Sequence, residues 1–241
     1  MLVSIILPVY NERENLAPLV QEISDALEGV SHEIVAVDDG STDGSSATLG
    51  ALAVDRPTLK FLQLRSNAGQ SAACAAGFRV ARGDVIVTMD ADGQNDPADV
   101  PGLLRALNAD PGLAAAVGYR VVRRDSRWKL LQSRIANAVR NWITGDSIRD
   151  TGCSLKAIRK EVVDRLPNFD GMHRFLPTLV RQGGGRVVEM PVSHRPRLWG
   201  KSKYGMWDRV FQGVRDALGV RWLSRRALAY VVAEESAETK P

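Results

Sequence analysis

Residues 84–97, "DVIVTMDADGQNDP", join a short apolar segment to three aspartates within seven positions. The apolar part, "VIV", is typical of a buried β-strand, and the polar part would then lie at the end of that strand. Carboxylates collected at one place repel one another and cost free energy unless a positive charge lies between them. Because Asp, Gly, Asn and Pro are also ordinary turn residues, the stretch predicts either a solvated turn or a divalent-cation site.

Strand and helix patterns alternate on both sides of this stretch. "LVSIILPVY", "HEIVAVDD" and "LKFLQLRS" predict strands, and segments with apolar residues at helical spacing lie between them. We expect Asn15 to cap the first helix. This order predicts an α/β protein with a mainly parallel sheet and helices on both faces. Ligands bind beyond the carboxyl ends of such strands, where "VYNE", "DDGSTD" and "DADGQ" all fall.

The second half of the chain is less regular. "WKLLQSRIANAVRNWITG" (128–145) predicts an amphipathic helix, and "GGGRVVEMPVSHRPR" (183–197) predicts the last strand. Apolar residues from Met206 to Trp222 recur on one stripe, which predicts a further helix. We therefore expect one large α/β domain over residues 1–205, followed by an amphipathic helical appendage with a polar tail over residues 206–241.

Composition restricts the class of protein. The chain has 241 residues, of which 44% are hydrophobic and 25% charged, as is usual for a globular protein. Its net charge of +4 is concentrated in basic segments that suit phosphates, nucleic acid or an anionic membrane surface. No signal peptide or membrane-spanning run is recognisable, so we expect a soluble or peripheral protein. Cys74 and Cys153 lack metal-ligand spacing, and a reducing cytoplasm is the expected compartment.

The aspartate stretch does not fit a calcium-binding EF-hand. That loop needs glycine at its sixth and glutamate at its twelfth position, where this chain has Asn95 and Pro101. What remains is Asp90-x-Asp92-x-Gln94 directly after a predicted strand. An incomplete set of oxygen ligands of this kind suits Mg²⁺ or Mn²⁺ shared with substrate phosphates.

Five segments in order carry a resemblance to a known family: "SIILPVYNERENL" (4–16), "IVAVDDGSTDGS" (34–45), "DVIVTMDADGQNDP" (84–97), "DTGCSLKAIRKEV" (150–162) and "HRPRLWGKSKYG" (194–205). Together they resemble the family-2 inverting glycosyltransferases, and within them the polyprenyl- or dolichyl-phosphate sugar synthases. The resemblance implies a GT-A (Rossmann-like) catalytic domain. The chain departs from the family pattern at Gly93, where leucine or a similar residue is common, and we expect this glycine to loosen the loop.

The resemblance implies a site for a GDP- or UDP-linked sugar. Asp90, Asp92 and Gln94 match the element that holds Mg²⁺ or Mn²⁺ between the donor phosphates, and Ala91 lies within that element. Further residues that match the nucleotide-sugar site of the family are Pro8, Tyr10, Glu12, Val37, Asp39, Asp90, Ala91 and Asp92.

The resemblance also implies basic residues around the reacting phosphates. Arg120, Arg197 and Lys203 match residues that contact donor phosphates, and Arg120 and Arg134 match residues on the acceptor phosphate. The residues expected to act in catalysis are Asp92, Asp150, Arg120 and Arg197. Because a lipid phosphate is already anionic near neutral pH, such a reaction needs little general-base help and many positive charges.

The sequence thus predicts metal-assisted transfer of a sugar, with inversion, from a nucleotide-diphosphate donor to a polyprenyl phosphate at the cytoplasmic membrane face. Trp199, Trp207 and Trp222 suit a bilayer interface, although packing against the core explains the last two equally well. An integral-membrane partner fits the same location. Two alternatives stay open: a family-2 enzyme with a saccharide or other non-lipid acceptor, and a non-catalytic nucleotide-sugar-binding subunit. Nucleic-acid binding rests on charge alone and is not expected.

Overall fold

Strands and helices alternate in the computed structural model, which describes residues 1–121, 137–197, 199 and 206–226, with backbone only for 206–212. The strands are β1 (Val3–Val9), β2 (His32–Asp38), β3 (Leu59–Gln63), β4 (Val85–Thr88), β5 (Leu113–Arg120), β6 (Lys156–Arg159) and β7 (Arg186–Val192). The helices are α1 (Arg13–Ala26), α2 (Ser45–Asp55), α3 (Gln70–Val80), α4 (Val100–Ala109), α5 (described over 137–144), α6 (Lys160–Val163), α7 (Met172–Gln182) and α8 (Met206–Arg226). A 3-10 turn at Pro97–Asp99 precedes α4.

The strands of the described part form one sheet in the order β3-β2-β1-β4-β6-β5-β7. All neighbouring strands pair in parallel except that β6 runs antiparallel to both β4 and β5. Lys156, the first residue of β6, therefore pairs with Thr88 near the end of β4 and with Val117 near the end of β5. The prediction of a mainly parallel sheet is confirmed.

This topology brings many loops to one edge of the sheet, which we call the carboxyl edge. It is formed by the carboxyl ends of β1 to β5 and β7, together with the start of the reversed strand β6. The segments that follow β1, β2, β4, β5 and β7 and the loop that precedes β6 therefore meet there. Ligand sites of parallel sheets occur at this edge.

Both faces of the sheet are covered by helices, as predicted. Helices α1, α2 and α4 pack on one face against side chains such as Ile5 and Leu7, and α3, α6 and α7 pack on the other face against Ile6 and Ile86. The alternation of side chains along β1 explains how adjacent apolar residues enter two separate cores.

The C-terminal helix α8 extends four residues beyond the predicted end at Trp222. Its Ala217 and Val220 are fully buried in the same core as α7, so its inner face belongs to the packing of the large domain. The boundary near residue 205 stays a prediction. Among the described residues, no helix is both long and apolar enough to span a bilayer.

Two details of the helices differ from expectation. Helix α1 begins at Arg13, so Asn15 lies inside its first turn and does not cap it. The Asn15 side chain is buried, and its Nδ2 donates to Oε2 of Glu12 at 2.7 Å. Helix α7 was not predicted, although Met172, Phe175, Leu176, Leu179 and Val180 recur at helical spacing on its buried face. Pro177 within the stretch is the feature that argues against a helix.

The contact between α3 and β1 depends on a glycine. A Cβ atom on Gly77 would lie 2.6 Å from Cγ2 of Ile6, whereas a Cβ on Gly50, in the middle of α2, would meet nothing within 4 Å. We expect Gly77→Ala to lower the free energy of unfolding by about 1–3 kcal/mol through overpacking. The same change at Gly50 should raise it by up to about 1 kcal/mol, because alanine favours helix.

Thermal unfolding of the two variants checks this expectation, since about 1 kcal/mol moves the Tm by roughly 2–4 °C in a chain of this size. Equal or higher Tm values for both variants would contradict the close approach of α3 to β1.

Candidate active site

Two carboxylates follow β4 at the carboxyl edge. Asp90 Oδ1 accepts a hydrogen bond from Nε2 of Gln70 at 2.7 Å, and the backbone N–H of Asp90 donates to Oδ1 of Asn95 at 3.2 Å. The hydroxyl of Ser154, in the loop before β6, donates to the same Asn95 oxygen at 2.6 Å. Burial, and secondly the negative charge of Asp92, raise the pKa of the Asp90 carboxyl. The pair therefore favours a cation beside it.

Asp92 is buried and already faces a cation of the chain. Its Oδ1 accepts from the backbone N–H of Gln94 at 3.1 Å, and its Oδ2 forms an ion pair with the guanidinium of Arg197. Gly93, between Asp92 and Gln94, has a φ of +72°, a backbone conformation that residues with a side chain rarely adopt. The glycine is therefore required by the backbone of this turn, where leucine would be strained.

The chain after β7 lies against the aspartate loop. His194 forms a β-bridge with Asn95, and the N–H of Arg195 donates to the carbonyl oxygen of Gln94 at 2.9 Å. The Arg195 guanidinium bridges Asp96 at 2.7 Å and Glu22 of α1 at 2.5 Å. Contacts within the chain thus attach residues 194–197 to the aspartate loop. Lys203, which the sequence analysis placed at the donor phosphates, lies outside the described residues.

Arg120 and Asp150 form a two-pronged ion pair at the end of β5. Nε of Arg120 donates to Oδ2 of Asp150 at 2.7 Å, and Nη2 donates to Oδ1 at 2.8 Å. Although burial acts to lower it, the pKa of Arg120 is raised by this carboxylate. The pair uses two of the five guanidinium N–H groups, which leaves others for a ligand. Arg134, the second predicted acceptor residue, lies outside the described residues.

Asp39 reaches the carboxyl edge, where it binds the chain itself. Its carboxylate accepts from the backbone N–H groups of Ala68 and Gly69 at 2.7 and 2.9 Å, and from Nδ2 of Asn67 at 3.1 Å. The side chain therefore fixes the turn before α3, and so the position of Gln70 on Asp90.

The other residues predicted to bind the nucleotide sugar differ in how far a ligand can reach them. Pro8 and Tyr10 are half-buried at the end of β1. Glu12 is buried, and its N–H donates to Oγ of Ser45 at 3.0 Å. The side chains of Val37 and Ala91 are buried in the two cores, so a ligand would meet these residues through their backbone only.

Lys156 and His173 lie beneath the site, and the sequence analysis singled out neither as functional. Lys156 is buried, and its Nζ donates to the carbonyl oxygen of His173 at 3.3 Å. Burial lowers the pKa of Lys156, while negative groups including Asp90 act to raise it. In the sequence, Lys156 could have been noticed only as a charged residue at an inward-facing position of a short strand. Its ammonium places positive charge on the protein side of the aspartate loop.

Asp90 and Asp92 offer carboxylate oxygens to a divalent cation at the end of β4. In the described part of the chain, no three His, Cys, Asp or Glu side chains come together as a ligand set. The predicted third ligand, Gln94, has its amide nitrogen 3.5 Å from Nε2 of His194 and from the carbonyl oxygen of Arg195. The donor set is therefore two carboxylates with a raised Asp90 pKa, which fits a cation whose remaining ligands come from phosphates and water.

The fold places the chain in the GT-A class of α/β proteins. The glycosyl transferase family 2 domain matches residues 4–166, and the chain belongs to that family. It is 36% identical over 228 residues to a dodecaprenyl-phosphate galacturonate synthase of Rhizobium johnstonii, covering 92% of this chain and 67% of that protein. It is 38% identical over 212 residues to an undecaprenyl-phosphate 4-deoxy-4-formamido-L-arabinose transferase of Edwardsiella ictaluri, covering 86% and 64%. The chain thus spans about two thirds of these relatives.

The fold matches solved glycosyltransferase structures. Glucosyl-3-phosphoglycerate synthase of Mycobacterium tuberculosis, in complex with Mn²⁺, UDP-glucose and phosphoglyceric acid, superimposes with a TM-score of 0.67 at 21% identity. The match covers 90% of this chain and 80% of that one. The prediction of a GT-A fold is confirmed, as is the prediction of a family-2 glycosyltransferase similar to polyprenyl-phosphate sugar transferases.

We expect His173 to stay uncharged in the folded protein. Burial first, and then the positive charges of Arg174 and Lys156, lower the pKa of its imidazole to about 3 from the usual 6.5. Between these values the unfolded chain binds the proton and the folded chain does not, so this group stabilises the fold above 6.5 and less as the pH falls. NMR titration should show the His173 ring unchanged down to about pH 4.

The same resonance in urea-unfolded protein is the reference, and it should titrate near the ordinary value for histidine. A midpoint near that value in the folded protein would show that the ring is solvated, contrary to its hydrogen bond of 2.7 Å with Ser71.

Proposed function

We propose that the chain transfers a sugar, with inversion, from a GDP- or UDP-linked donor to polyprenyl phosphate. The observation that carries the proposal is the pairing, at one sheet edge, of Asp92 with Arg197 and of Asp150 with Arg120. The similarity to two polyprenyl-phosphate sugar transferases supports the choice of acceptor. In the reaction, an acceptor phosphate oxygen forms a bond to the anomeric carbon while the bond to the nucleoside diphosphate breaks.

On the donor side, Asp90 and Asp92 would hold Mg²⁺ or Mn²⁺. When bound, such an ion neutralises negative charge that develops on the leaving diphosphate. Gln70 orients Asp90 from α3, and Asn95 orients the backbone of the same residue. Arg197 then exchanges the Asp92 carboxylate for the diphosphate, to which a guanidinium offers two parallel hydrogen bonds. Pro8, Tyr10 and Asp39 lie on the nucleotide side of the same edge.

On the acceptor side, Arg120 would attract the lipid phosphate through the N–H groups that Asp150 does not use. Because that phosphate is already anionic, no proton has to be removed before it attacks. Asp150, engaged by Arg120 on both oxygens, then serves to hold the guanidinium and does not act as a base. Two mutually repelling anions meet only if such positive groups lie between them.

A membrane surface fits the exposed part of α5 and α8. Trp142 is 81% exposed, Leu218 54% and Trp222 58%, and the exposed Arg225 and Arg226 follow. The two helices touch where Nη1 of Arg221 donates to the carbonyl oxygen of Ile143 at 2.7 Å. Exposed tryptophan beside arginine suits an anionic bilayer interface, and we propose a peripheral location on the cytoplasmic face.

Vesicle binding tests this location. The double variant with Trp142→Ser and Trp222→Ser should bind vesicles rich in phosphatidylglycerol about tenfold more weakly than the unmodified chain. Val54→Ser is the matched control, because Val54 on α2 is 82% exposed but lies away from these helices. Equal binding by all three proteins, or none by the unmodified chain, would contradict a peripheral membrane site on α5 and α8.

The reaction itself is tested with Asp92→Asn. The change should lower transfer at least a hundredfold, because it removes one charge from the cation site. Release of nucleotide is measured with a panel of GDP- and UDP-linked sugars and a short polyprenyl phosphate. Asp164→Asn, an exposed carboxylate after α6, is the control and should keep full activity.

Chelator should abolish the same activity, and added Mg²⁺ or Mn²⁺ should restore it. An unchanged rate in excess chelator would refute the metal. Transfer to a saccharide or to a soluble phosphate ester, with none to polyprenyl phosphate, would replace the proposed acceptor and leave the donor site in place.

A further inference from the structure

Helix α5 presents three polar side chains to the loop that precedes β6. Asn137, Arg140 and Asn141 lie at positions i, i+3 and i+4, which share one face of a helix. Nδ2 of Asn137 donates to the carbonyl oxygen of Arg149 at 3.0 Å, and Nδ2 of Asn141 donates to that of Ile148 at 3.3 Å. This face of α5 therefore binds the backbone of the loop.

Arg140 is the central member of this face. Its Nη2 donates to the carbonyl oxygen of Ile148 at 3.1 Å, and its Nη1 donates to the hydroxyl of Thr151. The side-chain oxygens of Asn137 and Asn141 accept from the same guanidinium at 2.7 and 2.9 Å. Contacts on both sides hold the planar group in one orientation, so it can fix the loop at two points that flank Asp150.

The loop in turn sets the position of Arg120. Asp150 lies between the two residues that Arg140 binds, and it accepts both prongs of the Arg120 guanidinium. Its Oδ2 also lies 3.3 Å from the backbone nitrogen of Arg120. The next part of the loop approaches so closely that a Cβ on Gly152 would lie 3.0 Å from Nη2 of Arg120. A shift of the loop would therefore move the Arg120 guanidinium with it.

Other side chains hold the loop at Asp146 and Arg149. Arg181 of α7 pairs with Asp146 at 2.8 Å, and Glu189 of β7 accepts from the N–H of Arg149 at 2.7 Å. Thr151, next to Asp150, is held by a side-chain hydrogen bond from Arg140. Loss of Arg140 should therefore loosen the loop at Thr151, directly after Asp150, and leave the part up to Arg149 attached.

We propose that Arg140 is a positioning residue, which acts through Thr151 and Asp150 to hold the Arg120 guanidinium toward the acceptor phosphate. The inference rests on the proposed function for the identity of that phosphate. The positioning itself rests on the contacts of Arg140, Thr151, Asp150 and Arg120.

The kinetic experiment uses Arg140→Gln, with Arg221→Gln as a control that changes an arginine bound to α5 outside the loop. Arg140→Gln should lower kcat about tenfold or more and leave the KM for the sugar nucleotide unchanged, because misplacement of one reacting group is costly. In an Arg120→Gln background the same change should have little further effect. The proposal would be overturned if Arg140→Gln lowered kcat by the same factor in the Arg120→Gln background as in the unmodified chain. Full activity of Arg140→Lys would also overturn it.

A spectroscopic measurement separates this inference from the proposed reaction. In protein labelled with ¹⁵N-arginine, the Nε–H resonance of Arg120, assigned by its loss in Arg120→Lys, should exchange slowly with water. Arg140→Gln should speed this exchange at least tenfold, and Arg221→Gln should not. An unchanged Arg120 resonance in Arg140→Gln refutes the positioning role, whichever acceptor the enzyme uses. Absence of transfer by the unmodified enzyme refutes only the reaction.

Discussion

The reversed direction of β6 is the constraint on which the site depends. Were β6 parallel to β4 and β5, its end would lie at the carboxyl edge and the loop before it would lie at the opposite edge. Because it runs antiparallel, Asp150, Ser154 and Lys156 come to the same edge as the aspartates after β4. Ser154 then binds Asn95, and Asp150 binds Arg120. The antiparallel direction of β6 thus brings the two halves of the site together.

The charges at this edge are balanced within the chain. Asp92 faces Arg197, Asp150 faces Arg120, and Lys156 places positive charge beneath Asp90. Paired charges of this kind cost less to bury than single ones, and removal of one partner leaves the other uncompensated. Burial, and secondly the negative charge of Asp92, raise the pKa of Asp90. It is at this point that an added cation would relieve most repulsion.

Much of the fold could be predicted from the sequence, because a buried parallel sheet has a strong signature. Apolar β-branched segments ending in polar turns placed β1, β2 and β4 correctly, and the five family segments contain Asp90, Asp92, Asp150 and Arg197, which the fold brings to one edge of the sheet. Long-range contacts have no such signature. The partners of Asp39 and of Lys156 lie in segments that are distant along the chain. Helix α7 has a regular apolar stripe, and Pro177 within it obscured the helix.

The ion pair between Asp92 and Arg197 has a consequence for how ligands enter on the proposed mechanism. A lone divalent ion would compete with Arg197 for the Asp92 carboxylate, and a lone diphosphate would meet two carboxylates. A preformed complex of both ligands supplies a new partner to each residue at once. The two affinities are then thermodynamically linked, so each ligand tightens the binding of the other by the same factor. In a cell, such linkage would favour binding of the metal–nucleotide complex over binding of free metal ions.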